Sequence, residues 1–471
     1  HPPHRKSWRR FEGSWAWRRI LAPLNGTTQQ PDWNTRLEIA PDRMESAVVS
    51  RLMWRLMPFL LLLYIVAYLD RINMGFAVLQ MRGQLGLSER VIGRAGGMFF
   101  AGYFFFQLPS NLVLEKFGVR RWISGLMVTW GVISCLTMFV RGPVSFYSIR
   151  FLLGAAEAGF FPGMILYLKR WFPAKARARA VAWFMLANPI SGIVGSPISG
   201  TLLGLRGGGL AGWQWMFLME GVPAIFLGVT VLWVLSDRPQ HATWLKGEER
   251  AWLLEKLAGE QLAESNLKQG SFWQVLIAPR IWLLSMVYFG VPTTMYGITL
   301  WLPSVIQSVS GLGNFATSLV AVLPFVATTI AMVLAGTSSD RTGERRWHTA
   351  VPAFVAALAI VTAAYGKGPA LVIAGVGLGM AGAEAMVGPF WAMATTRMAG
   401  LPAAAGIAMI NSLANLGGYF GPDIIGLFRT ANGGFRGGFL AIGATLAISG
   451  TIALIVGRQS VMGRETAAVE P

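Results

Sequence analysis

One cysteine, Cys135, stands in the whole chain of 471 residues, and it lies inside an apolar run. A single thiol excludes an internal disulfide and any cysteine-built metal site. Histidine is nearly as scarce. His1, His4, His241 and His348 are scattered and form no ligand pair, so no metal is expected. Charge is short as well: 13% of residues, against about 25% in a soluble domain. Acids are the scarcer sign, 22 against 40 lysines and arginines, which leaves a net charge of +18. No nucleophile–base set or phosphate-cradling glycine loop is present, and an enzyme is not expected. What fills the chain instead is apolar: 54% AVILMFWYC residues, 56 glycines and a mean hydropathy of +0.51. That composition excludes a disordered chain, a disulfide scaffold and an ordinary soluble enzyme, and leaves a polytopic membrane protein. In a soluble protein the basic surplus would suggest nucleic acid. Here it has another cause, because cytoplasmic loops of membrane proteins collect Lys and Arg.

A spanning helix needs about 20 mostly apolar residues. Such runs recur at 52–77, 91–114, 122–140, 144–168, 180–205 and 214–235, and again at 281–306, 315–337, 349–366, 369–396, 403–428 and 436–457. The expected fold is therefore all-α, with twelve transmembrane helices in two six-helix halves, 44–235 and 281–457. A polar stretch, 236–280, joins them. Lys116, Arg120, Arg121, Lys169, Arg170, Lys175, Arg177, Arg179, Arg341, Arg345 and Arg346 fall on one side of this scheme. The bias predicts that both termini are cytoplasmic; Arg82, Arg90 and Arg94 fall on the other side and weaken it. Within 236–280, Leu253, Leu254 and Leu257 predict a surface helix, read as a tether between halves.

Residues 1–43 are expected to be disordered or foreign to the natural protein, with Met44 as a natural start. Their mixture of Trp and Arg suits an anionic membrane surface. They lack the apolar core of a signal peptide. Residues 458–471 are expected to form a tail.

The halves repeat. Asn111-Leu112-Val113-Leu114-Glu115-Lys116-Phe117-Gly118-Val119-Arg120-Arg121 follows the second run. Gly336-Thr337-Ser338-Ser339-Asp340-Arg341-Thr342-Gly343-Glu344-Arg345-Arg346 follows the eighth. Glu157 and Pro162 are echoed by Glu384 and Pro389, and Trp171-Phe172-Pro173 by Gly400-Leu401-Pro402. Acid and base in a tight turn between helix ends can form a clasp. Glu115, Lys116, Asp340, Arg341 and Arg345 are therefore candidates for a conformational gate. Two similar halves flanking a central site is the arrangement of alternating access.

The paired Gly-x-x-x-Asp-Arg-x-Gly-x-Arg signature resembles that of the major facilitator superfamily, with Asn111, Glu115 and Lys116 as departures in the first copy. Tyr68-Leu69-Asp70-Arg71-Ile72-Asn73, the Gly102–Asn111 and Arg150–Gly163 segments, and Asn411-Ser412-Leu413-Ala414-Asn415-Leu416-Gly417-Gly418 narrow it. Together they resemble the anion:cation symporter family, in its bacterial tartrate, phthalate and hydroxyphenylacetate permease branch. The resemblance covers about 44–457 and says little about which substrate is carried.

Charges at mid-bilayer cost about 2.5–3.5 kcal/mol or more and normally face a cavity or a partner. Asp70 and Arg71 lie in the first run, Arg150 and Glu157 in the fourth, with Gly154 on the same face. An arginine fork binds a carboxylate and stays charged, so Arg71 is the candidate for the substrate anion. Asp70 and Glu157 are the proton-coupling candidates, and Arg150 would modulate Glu157. The plainer reading is a structural ion pair that fixes helix packing. The resemblance supports the functional roles of Asp70, Arg71 and Glu157. It also places Tyr68, Tyr103, Asn188, Trp391 and Asn411 where members of that family line the cavity. Asn415 is expected to pack between helices, as is the ridge Gly192, Ser196 and Gly200. Glu384 is left between a cap and an interhelical hydrogen bond.

The expected function is proton-coupled symport of a small organic carboxylate, a sugar acid, tartrate-like or aromatic acid, across the inner membrane. The proton gradient would drive it without a cofactor, and the expected transporter is a monomer with no nucleic-acid partner. The alternative is a drug:proton antiporter or an uncoupled exchanger of the same fold. Gly195-Ser196-Pro197-Ile198-Ser199-Gly200 partly matches an antiporter signature.

Overall fold

A computed structural model of the chain describes the backbone of residues 33–265, 272–398 and 403–467. Its described side chains run from 43 to 458, save those of 115, 263–273, 399–404 and 432. His1–Ala47 and Val48–Pro471 are separate compact units. The second carries everything discussed below.

The membrane helices are α1 (Trp33–Leu85), α2 (Glu89–Phe117), α3 (Val119–Phe139), α4 (Pro143–Trp171), α5 (Ala174–Leu202) and α6 (Gly212–Val234). The second half supplies α7 (Pro279–Ser310), α8 (Asn314–Thr342), α9 (Arg346–Tyr365), α10 (Pro369–Arg397), α11 (Ala403–Asn432) and α12 (Arg436–Ala467). Eleven of them contain a window apolar enough to cross a membrane. α11 is diluted by Asn411, Asn415 and several glycines, yet its 30 residues reach about 45 Å, ample for a span. Two expectations are corrected at the ends. Helix begins at Trp33, inside the segment read as disordered, and α12 continues to Ala467, into the segment read as a tail. Residues 1–32 lie outside the described residues.

Local sequence sets the boundaries. Pro143, Pro279 and Pro369 open their helices, where a missing N–H costs nothing. Gly311 and Gly343 close α7 and α8 in the left-handed conformation, each returning its N–H to a carbonyl four residues back. Three spans are broken near their middles: α4 at Ala158–Gly159, α5 at Leu186 and α10 at Met386. The breaks in α4 and α10 fall at corresponding points of the repeat, one and two residues after Glu157 and Glu384.

The linker is more than a tether. Its helix Gly247–Ser265 buries Leu253 and Leu257. Glu249 pairs with Arg51 at 2.8 Å. Glu260 accepts the N–H of Ala174 at the start of α5 at 2.8 Å and pairs with Arg177 at 3.0 Å. The carboxylate thus meets the positive end of α5.

The halves meet where α2 packs on α11 and α5 on α8. The ridge of α5 packs as expected: a Cβ at Gly192 would overlap the Phe325 ring, and one at Gly200 would overlap Ser318, both on α8. Towards the ends where α1 finishes and α2 begins the contact is closed. Gly93 of α2 lies on the Pro422 carbonyl, and Arg94 pairs with Asp423 at 3.5 Å. Glu89 receives both Arg82 at 2.6 Å and Arg429 of α11 at 3.4 Å. Arg82 and Arg94, the residues that blurred the topology, belong to this seal. Towards the opposite ends, where α2 and α4 finish, the halves part around a cavity.

α2 and α4 are held close by a reciprocal contact. Gly102 lies against the Phe151 carbonyl, and Gly154 lies against the Phe99 carbonyl. A methyl on either would overlap backbone, which cannot step aside as a side chain can. Gly154→Val should therefore lower the thermal midpoint of the purified protein, at a cost of about 1–3 kcal/mol. Gly125→Ala, with open space around it, should leave the midpoint unchanged or raise it slightly. Equal midpoints for both variants would contradict the packing argument.

Candidate functional site

Arg71 is the centre. Its Nε and Nη2 donate to one oxygen of Glu157, at 3.1 and 3.0 Å, from α1 to α4. Its Nη1 donates to the Tyr296 hydroxyl of α7 at 3.2 Å. The guanidinium lies over the rings of Tyr68, Phe99 and Tyr103 at 4.9, 5.2 and 5.4 Å. Aromatic faces hold the cation without consuming its donors. Tyr68 and Tyr296 join across the halves at 3.4 Å.

Asp70, the next residue back, points elsewhere. It is 1% exposed and accepts Ser134 of α3 at 2.5 Å and Asn73 at 3.4 Å. Its other oxygen is buried without a partner, as is the second oxygen of Glu157. Arg150 is buried too. It donates to the Asp70 backbone carbonyl at 3.5 Å and lies over Phe99 at 5.0 Å. Of the two arginines, Arg71 makes the ion pair with Glu157.

Sequence reasoning missed three participants. Tyr296 is one. Glu220 of α6 is another: 3% exposed, it accepts Ser199 at 2.7 Å, and its other oxygen is buried without a partner. A glutamate in an otherwise apolar run was the available signal. Tyr288 is the third, stacked on Phe390 and edge-on to Trp391.

A cavity of about 510 Å³ runs from this centre towards the ends of α2 and α4. Tyr68, Arg71, Tyr103, Trp391 and Asn411 line it as expected, and it reaches Asn111, Leu166 and Lys169. Asn415 lines it too, so the expectation that it only packs is corrected. Asn188 lines a smaller recess of about 80 Å³ that shares Tyr68, Arg71, Tyr288 and Tyr296 with the cavity. Its amide donates to Glu384 at 3.1 Å. Glu384 thus makes an interhelical hydrogen bond, from α10 to α5, rather than a cap.

The gate candidates remain within their own turns. Asp340 pairs with Arg345 at 2.6 Å, and Arg345 also donates to Ser339 at 2.9 Å. Lys116 and Arg341 are exposed, and the Glu115 side chain lies outside the described residues. Other acids meet the helix starts. Asp237 of the linker accepts the Arg120 N–H at 2.9 Å, and Glu344 accepts those of Trp347 and His348 at 2.8 and 3.2 Å. Among the described residues no group of three His, Cys, Asp or Glu could hold a metal ion.

Residues 60–422 match the sequence model of the Major Facilitator Superfamily. The chain belongs to that superfamily. A protein of Agrobacterium vitis named "Putative tartrate transporter" is 44% identical over 91% of this chain and 95% of its own length. A "Quinolone resistance transporter" of Acinetobacter baumannii is 36% identical over 84% of this chain and 92% of its own length. In structure, the chain resembles a bacterial homologue of the human lysosomal transporter Spinster in an inward-facing, unoccupied conformation. The TM-score is 0.71 at 16% identity, over 88% of this chain and 97% of the other. The protein is a multi-pass membrane transporter of this superfamily, not an enzyme.

Partial burial pushes the Glu344 carboxyl up, but the N–H groups of Trp347 and His348 and the His348 ring outweigh it and hold it below the usual value. A lowered folded-state pKa contributes stability above the unfolded value of about 4.5, and that contribution is lost as pH falls through the folded one. The thermal midpoint of the wild type should exceed that of Glu344→Gln at pH 6.5, and the gap should narrow below pH 4.5. A gap that does not change with pH would contradict this.

Proposed function

We propose that the protein imports a small organic carboxylate together with a proton, as a monomer in the cytoplasmic membrane with both termini cytoplasmic. The cavity then opens inward, and the sealed face is the outer one. The observation that carries the reading is the Arg71–Glu157 pair at the head of that cavity.

Four buried acids, Asp70, Glu157, Glu220 and Glu384, surround two arginines, Arg71 and Arg150. A further anion entering this set adds to an excess of negative charge in a low-dielectric site. Protons are the counter-charge at hand. The substrate carboxylate takes the Arg71 fork, Glu157 gives it up, and Glu157 takes a proton as it loses its cation. Asp70, held behind Arg71 by Ser134, is the second proton-holding group, and Arg150 adjusts the charge around it. Tyr68, Tyr103, Asn188, Trp391 and Asn411 bind the rest of the substrate. Once neutralised, the halves rock and the seal formed by Glu89, Arg429, Arg94 and Asp423 opens. The tartrate name carried by the Agrobacterium relative supports a small carboxylate.

A second reading is drug:proton antiport. The quinolone-resistance relative favours it, as do the aromatic walls formed by Tyr288 and Trp391. The direction of flux separates the two. In proteoliposomes with an acidic exterior, the wild type should accumulate L-tartrate or a related carboxylate. Glu157→Gln should lose accumulation and keep counterflow exchange. Arg71→Lys should raise the apparent KM about tenfold or more, because a bidentate contact becomes a point charge. Accumulation by Glu157→Gln against the gradient would refute the coupling role, and export of quinolones driven by the same gradient would favour the second reading.

A further inference from the structure

Glu384 is the cavity acid that the exchange at Arg71 leaves unused. In the repeat it is the mate of Glu157, 227 residues on, and each stands just before the break in its helix. Their partners differ. Glu157 is held by an arginine. Glu384 accepts one hydrogen bond, from the neutral Asn188 amide, and among the described residues no lysine or arginine forms an ion pair with it. The position in α7 that corresponds to Arg71 by the same offset is Ile298.

Glu384 and Asn188 line the same small recess as Arg71. Its lining joins a fork of donors, Arg71, with a group rich in acceptors, Glu384: a carboxylate has about four lone-pair sites, and one hydrogen bond, from Asn188, is made to it. A second substrate carboxylate placed there would meet like charge. A hydrocarbon placed there would take water from the acceptors and return nothing. A hydroxyl donates, and one seated between α5 and α10 would bridge the two halves.

We propose that Glu384, steadied by Asn188, reads a substrate hydroxyl, so that the site selects hydroxycarboxylates, with the carboxylate on Arg71 and the hydroxyl on Glu384. The inference rests on the carboxylate reading above and narrows its substrate class away from unsubstituted and purely aromatic acids.

The experiment measures uptake into proteoliposomes of matched pairs that differ only in hydroxyls: L-tartrate against succinate, and D-glycerate against propionate. The wild type should prefer the hydroxylated member of a transported pair by about tenfold or more, the scale of one hydrogen bond to a charged group. Glu384→Ala should reduce that preference to about twofold or less, chiefly by losing uptake of the hydroxylated member. Should Glu384→Ala fail to assemble, Glu384→Gln and Asn188→Ala are read by the same ratio, and both should lower it. An unchanged ratio in the variants, or no preference in the wild type, overturns the assignment to Glu384. Failure to transport either member of both pairs, with quinolone export intact, overturns the carboxylate reading itself.

Discussion

The ion pair between Arg71 and Glu157 is the constraint around which the rest is arranged. A buried pair is strong only while both partners remain, because removing one strands a charge in low dielectric. Arg71 is nonetheless held so that it can change partners. Nε and Nη2, on one edge, hold a carboxylate and Nη1 holds a tyrosine hydroxyl, while three aromatic rings support its face. An incoming carboxylate needs only that edge. On the proposed reading, the acid it displaces loses its ion-pair partner, which is the condition for taking up a proton.

The surrounding architecture makes that exchange a local event with a wide effect. The reciprocal contact of Gly102 and Gly154 sets α2 and α4 backbone to backbone, and so fixes Arg150 and Glu157, both on α4, relative to Phe99 of α2. Across the halves, the ion pairs of Glu89 and Asp423 and the contact of Gly93 with the Pro422 carbonyl cluster where α2 begins. Exposed pairs of this kind contribute little singly. Their value lies in position, since they join parts that must separate when the other face closes. Tyr68 and Tyr296, meeting beside Arg71, join the two halves at this centre.

Much of this was legible in the sequence. The twelve apolar runs appear as helices, because a span needs length and apolarity and little else. Buried charge is scarce enough in such a chain that Asp70, Arg71, Arg150 and Glu157 stood out, and all four lie near one centre. What could not be read was direction. Asp70 and Arg71 are sequence neighbours, yet one points to α3 and the other to the cavity. Asn411 and Asn415 share a helix face and both reach the cavity, so spacing could not assign one to packing. Tyr296 was hidden because a tyrosine in an apolar run carries no special signal. In the gate motif Asp340 pairs with Arg345, while the acids at the helix starts are Asp237 and Glu344, one of them supplied by the linker.

The central claim is that a substrate carboxylate replaces Glu157 on Arg71 and that Glu157 takes up a proton in return. Calorimetric titration of the purified protein with a transported carboxylate, in buffers of different ionisation enthalpy, measures the protons taken up on binding. The account predicts a heat that varies with the buffer in proportion to about one proton gained per carboxylate bound, and a smaller slope in Glu157→Gln. A wild-type heat that is the same in every buffer would contradict it.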